Sequence, residues 1–111
     1  MPFQRGRVIY INTMEVEFDD PDLDRLEVDP RFTGGFSPSV VRGFRKAMQA
    51  IRAAHDERDL YASRGFRFKK LKGSRSPERS MRLNKQWRLY LVIEDGTKGR
   101  RARVIRIGDD E

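Results

Sequence analysis

In the last third of the chain, apolar and polar residues alternate. In RSMRLN (79–84) Met81 and Leu83 share one face, and in WRLYLVIE (87–94) so do Trp87, Leu89, Leu91 and Ile93. A period of two is that of half-buried strands. A turn centred on Lys85 sets Leu83 opposite Trp87 and Met81 opposite Leu89, which builds one wall of a core. The same register sets Arg82 opposite Arg88 and Ser80 opposite Tyr90 on the reverse face. A slip of one residue would drive arginine into the core, so the register is well specified. MEVEF, FRFKKL (66–71) and ARVIRI (102–107) are the other predicted strands, and Asp95-Gly96 is a turn signal between the last two long ones.

Two segments carry helical spacing instead. In FDDPDLDRLEV, Asp20 is the expected N-cap, Pro21 the first helical residue, and Leu23 and Leu26 the buried face. Ser37 and Pro38 start a longer helix, along which Val41, Phe44, Met48, Ile51 and His55 form a stripe beside Ala47 and Ala54. His55 is expected to be a partly exposed residue capping the end of that helix. A strand, then helices, then strands, without βαβ alternation, predicts an α+β fold. Its sheet is expected to be antiparallel, with the longer helix packed across one face. Residues 1–13 are expected to be an N-terminal extension, with Met14 an alternative start, and residues 14–111 a single domain.

Composition narrows the chemistry. With 111 residues the chain has one modest core. No cysteine is present, which removes disulfides, thiol nucleophiles and thiolate zinc sites. The longest apolar runs, VIYI and LYLVI, are far below membrane-spanning length, and MPFQRGRVIYIN has no signal-peptide core of usual length. A soluble, cytoplasmic protein with no membrane partner is expected. The net charge is +7, distributed unevenly. Between residues 14 and 29 eight acids face Arg25 alone; between 64 and 106 fifteen bases face three acids. Such a split suggests a polyanion-binding face.

Two arginines held opposite each other on a sheet should cost stability, which invites an anionic ligand. Arginine's planar fork grips phosphate through two hydrogen bonds and keeps its charge. Lys69, Lys70, Lys72, Arg75 and Arg79 flank the Arg82–Arg88 pair, with Arg67 nearby, and Tyr90 and Phe66 offer rings on which bases could stack. No Walker-type loop is present. Carboxylates at 20, 22 and 24 lack the glycine and glutamate that a calcium loop requires, and no metal or other cofactor is expected. An enzyme of this composition would cleave RNA without a metal. The ribose 2′-OH would attack the adjacent phosphate while cationic side chains stabilise the pentacovalent charge.

DPDLDRLE, VVRGFRKAMQAIRAA, RFKKLKGSRSPERSMRLNKQWRLYLVIEDG and the closing VIRIGDD together resemble the HigB-type (plasmid killer) toxins of the RelE/ParE superfamily. The most specific part is LKG-x-R followed by S-x-R-[LI]-N-x-Q-W-R. The resemblance implies an α+β fold with a small antiparallel, mixed-edge curved sheet and two N-terminal helices packed on one face. It implies a toxin of a type II toxin–antitoxin system that cleaves mRNA on the ribosome, leaving a 2′,3′-cyclic phosphate. It also implies a cognate antitoxin, of helix-turn-helix, HigA-like type, through which alone the toxin would meet operator DNA. Carried over by position, Lys72, Arg75 and Arg88 would hold the scissile phosphate. Lys69 stands where some active members carry histidine, and Asp109 matches the aspartate of the family's C-terminal Asp-Tyr-His. Here Asp110 and Glu111 replace Tyr and His, so Glu111 is the candidate general base in the missing histidine's place. The alternatives are a ParE-like toxin that inhibits DNA gyrase by binding alone, or a catalytically weakened RNA-binding homologue.

Overall fold

Asp20, in extended conformation, accepts a hydrogen bond from the Asp22 N–H at 2.9 Å, and Pro21 opens helix α1 (Pro21–Val28). Ser37 caps Val40 at 3.4 Å ahead of Pro38 and helix α2 (Pro38–Ala53). In both cases a side chain satisfies an N–H that has no partner within the helix. The computed structural model describes residues 13–75 and 77–109. Apart from Thr13, the expected extension lies outside the described residues, as do Asp110 and Glu111.

Leu23 and Leu26 of α1 and Val41, Phe44, Met48 and Ile51 of α2 are buried, as their spacing predicts. His55 departs from that stripe. It is exposed beyond the end of α2, and its N–H and ring both reach Asp59, at 2.8 and 3.3 Å. Asp59 belongs to a third helix, α3 (Glu57–Ala62), which Asp56 caps and which buries only Leu60. Six residues are too few to show helical periodicity, so α3 left no mark in the pattern.

The sheet has five strands in the order β1-β5-β4-β3-β2: β1 (Glu15–Phe18), β2 (Lys69–Lys70), β3 (Glu78–Arg82), β4 (Trp87–Asp95) and β5 (Arg100–Asp109). All neighbours are antiparallel except β1, which pairs parallel to β5 and supplies the mixed edge. The hairpin register is the predicted one: Met81 faces Leu89, Arg82 faces Arg88, Ser80 faces Tyr90, and the Leu83 N–H donates to the Trp87 carbonyl at 2.9 Å. Strand β2 is much shorter than the predicted 66–71. A 3₁₀ turn takes Arg64–Phe66, and Arg67 follows in the left-handed region at φ 47°.

Met81, Leu89, Leu91, Ile93, Ala102 and Val104 meet the helices in one hydrophobic cluster. Each large side chain buried there contributes about 2–3 kcal/mol. Gly43 of α2 lies against β3's end; a Cβ there would collide with the carbonyl of Leu83. Glycine is what lets helix and strand approach so closely.

One irregularity matters for the site. Leu91 pairs with Val104 but Tyr90 pairs with Arg106, so Ile105 is an extra residue in β5. Without this bulge Arg106 would sit opposite Leu89, among the core residues. With it, Arg106 turns to the face away from the helices, and Ile107 takes the place opposite Leu89.

Candidate functional site

The sheet face away from the helices carries Glu78, Ser80 and Arg82 of β3, Arg88, Tyr90 and Glu94 of β4, and Arg101, Arg103 and Arg106 of β5. Its two edges differ in charge. At the β1 edge the acidic N-terminal block folds back on the basic strand. Arg101 reaches Glu94 at 2.7 Å and Glu17 at 3.8 Å, and Arg103 reaches Asp19 at 2.7 Å and Glu94 at 3.3 Å. Hydrogen bonds from Arg101, then Arg103, hold the Glu94 carboxyl below its ordinary value, and Glu94 in turn raises Arg101. Part of the sequence's charge split is therefore neutralised internally. At the opposite edge Lys69, Lys70 and Lys72 are exposed with no ion pair to a described acid.

Between the edges lies a cleft of about 270 Å³ lined by Arg75, Tyr90, Arg106, Gly108 and Asp109. Its floor is the Tyr90 ring, itself only 5% exposed. The Arg106 guanidinium lies 4.4 Å and that of Arg75 4.9 Å from the ring centroid, both close enough for cation–π attraction. The Tyr90 hydroxyl donates to the Asp109 carbonyl at 3.4 Å. A Cβ on Gly108 would approach Tyr90 Cε2 to 3.2 Å, so glycine keeps that side of the ring clear. Glu78 stands beside both cations, 3.0 Å from Arg106 and 4.0 Å from Arg75. Two guanidiniums converging over a buried phenol can hold a phosphate group and stabilise charge building on it.

The predicted residues divide around this cleft. Arg75, Tyr90 and Asp109 line it. Lys69 lies on the same cross-strand row, where Lys69, Ser80, Tyr90 and Arg106 pair in succession across four strands. Lys72 is exposed in the loop before Arg75, whose N–H it receives at its carbonyl at 3.4 Å. Arg79 and Lys70 pair with each other on the alternate, helix-side parity. Arg79 donates to Glu57 of α3 at 2.9 Å and to the Pro77 carbonyl at 2.8 Å, so it is not brought to the cleft. Glu111 lies outside the described residues.

Arg88 corrects the idea of two arginines exposed and repelling. It is 3% exposed, with Nε donating to Ser80 Oγ at 2.9 Å and Nη2 to the Arg67 carbonyl at 2.7 Å. Arg82 instead turns its Nε to the Asn84 carbonyl at 3.2 Å. The opposed pair is tolerated because each guanidinium takes different partners. Arg88 ties β3 and β4 to the 64–67 turn beside them, and its bond holds the Arg67 carbonyl in place.

Reading the sequence alone missed Arg106, Glu78 and Gly108. Glu78 could have been found, since it shares the parity of Ser80 and Arg82. Arg106 could not, because strict alternation from Ala102 and Val104 assigns it to the core. Among the described residues no three His, Asp or Glu side chains gather where they could hold a metal ion, and no helix is long and apolar enough to cross a membrane.

Comparison with curated proteins gives no match. The family model described as the RelE-like toxin of type II toxin-antitoxin system HigB matches residues 16–98, most of the chain. Among solved structures, the YoeB/ParE toxin from Agrobacterium tumefaciens is similar at a TM-score of 0.58 and 14% identity, over 88% of this chain and 100% of that one. At that identity the likeness is one of fold, and it has the same small α+β architecture. The chain thus belongs to the HigB-like family of RelE-like toxins, within the RelE/ParE toxin superfamily of type II toxin–antitoxin systems.

Proposed function

We propose that this toxin is a metal-independent endoribonuclease that cuts mRNA on the ribosome and so blocks translation. The observation that carries the reading is the cleft in which Arg75 and Arg106 converge over Tyr90. The scissile phosphate would lie between the two guanidiniums, with Lys69 and Lys72 on the flanking RNA backbone and Arg88 fixing the neighbouring 64–67 turn. The 2′-OH attacks phosphorus, the bond to the 5′ oxygen breaks, and the products are a 2′,3′-cyclic phosphate and a 5′-hydroxyl. A carboxylate takes the 2′-OH proton, with Asp109 at the rim and Glu111 the candidates; a proton must also reach the leaving oxygen. The cognate antitoxin, HigA-like by family, would silence the toxin by covering this basic face.

The second reading, a toxin that binds DNA gyrase without catalysis, is favoured by Asp110-Glu111 standing where the family carries Tyr-His. Primer extension on one mRNA, translated in a purified system with and without the protein, separates the two. Ribosome-dependent cuts that disappear with Glu111→Ala support the nuclease and the acidic terminus together. Cuts that persist keep the nuclease and move proton transfer to Asp109. An absence of cuts from a preparation that still arrests cells refutes the nuclease and directs attention to gyrase supercoiling.

A further inference from the structure

A second hollow, of about 310 Å³, lies where α2, the 3₁₀ turn and the end of β3 meet. Lys46, Arg64 and Arg82 ring it, and Phe66 and Leu83 form its apolar part. Many of the described arginines are tied to a carboxylate, as Arg52 is to Glu27 and Arg58 to Asp56. These three cations are not: among the described residues none has an acidic partner, and Arg82 spends only its Nε, on the Asn84 carbonyl. Cations left unpaired around a concavity with an aromatic wall suit a ligand that is anionic at one end and flat at the other. The volume falls at the lower end of the range of small-ligand sites, about 300–1,000 Å³.

The hollow is also related to the cleft through the β3–β4 pairing. Arg82 pairs with Arg88, and Tyr90 lies two residues further along β4, a step of about 7 Å. The wall of the hollow is the 64–66 turn, and the next residue, Arg67, gives its carbonyl to Arg88. Through Arg82 the hollow therefore borders the sheet face that carries the cleft, one strand over and two residues along from Tyr90.

The geometry points to this hollow as a second nucleotide subsite for single-stranded RNA, its base against Phe66 and its phosphate on Lys46, Arg64 and Arg82. This rests on the RNA-cleaving reading and extends it: RNA engages beyond the scissile position, on the side of β3. An acidic peptide is the competing occupant. The aromatic wall and the position of Arg82 beside the cleft's strand favour RNA.

The test is a nuclear magnetic resonance titration of the whole protein with a dinucleotide and with a pentanucleotide of RNA, for the wild type and for Lys46→Ala/Arg64→Ala. Both substituted residues are exposed and outside the cleft. The pentanucleotide should shift the amides of Gly43, Gly65 and Phe66, and the dinucleotide should shift only those around Tyr90. The double variant should bind the pentanucleotide about tenfold more weakly at 0.1 M salt, with a salt slope shallower by about 1.4, and the dinucleotide unchanged. Equal weakening for both lengths, or no weakening for either, overturns the subsite while leaving the cleft as an RNA site. A variant that binds RNA normally but loses antitoxin affinity overturns it in favour of the peptide. A wild type that binds neither RNA overturns the nuclease reading itself.

Discussion

Arg106 lies over the ring of Tyr90 because Ile105 is an extra residue in β5. A bulge of one residue converts what alternation would make a core position into half of the cationic pair over that ring. Arg106 is held there by its ion pair with Glu78.

Arg106→Ala should therefore cost function without costing the fold. Its side chain is 42% exposed and its ion pair is of the weakly stabilising kind. The melting temperature should fall by no more than about 5 °C, while cleavage drops by about a hundredfold or more. Retained cleavage in a folded variant would remove Arg106 from the site.

Arg88→Ala should behave in the opposite way. Its hydrogen bond to Ser80 Oγ is buried, that to the Arg67 carbonyl is partly buried, and both are charge-assisted. Losing them leaves the Arg67 carbonyl short of a donor, at a cost of about 3 kcal/mol. Urea melts should show that loss, so a drop in toxicity for this variant cannot by itself be read as catalysis. Unchanged stability would mean that Arg88 does not hold the 64–67 turn to the sheet.

Glu78→Gln should tighten RNA binding. The carboxylate competes with phosphate for Arg75 and Arg106, and removing its charge leaves the geometry but not the competition. The gain should be about threefold at low salt, read by titration with a short RNA. Weaker binding would show that Glu78 positions the two guanidiniums more than it occupies them.

The other edge of the sheet governs acid sensitivity. Glu94 is held below the ordinary 4.5 chiefly by the Arg101 hydrogen bond, and Glu15 by the Thr97 hydroxyl and then the Lys98 N–H. A folded-state value below the unfolded one contributes stability that is complete above pH 4.5 and is lost as pH falls through the folded value. Urea midpoints measured from pH 6 downward should hold until about that point and then decline. Glu94→Gln should flatten the decline, and an unchanged slope would show that the pairing carries no stability.

What could be read from the sequence was local. Asp20 and Ser37 announce their helices because a cap acts within three residues, and the β3–β4 register follows from Met81 and Leu89 needing the same side. What could not be read depended on distant contacts. The pairing of β1 with β5 joins the two ends of the fold. The burial of Arg88 depends on a carbonyl offered by Arg67, which sits in a left-handed conformation that FRFKKL, read as a strand, conceals. In the site, family motifs led to Arg75, Arg88 and Asp109, but only the bulge reveals Arg106.

The parallel seam also imposes an order in time. Glu15 of β1 finds its strand partner only at Arg101 of β5, so a chain being synthesised carries β1 unpaired until nearly the whole domain has been made. The same late strand brings Arg106, Gly108 and Asp109 to the cleft. A nascent toxin therefore has the residues of its helices and central hairpin before it can place Arg106 over Tyr90, and the cleft is complete only when β5 has been made and has docked.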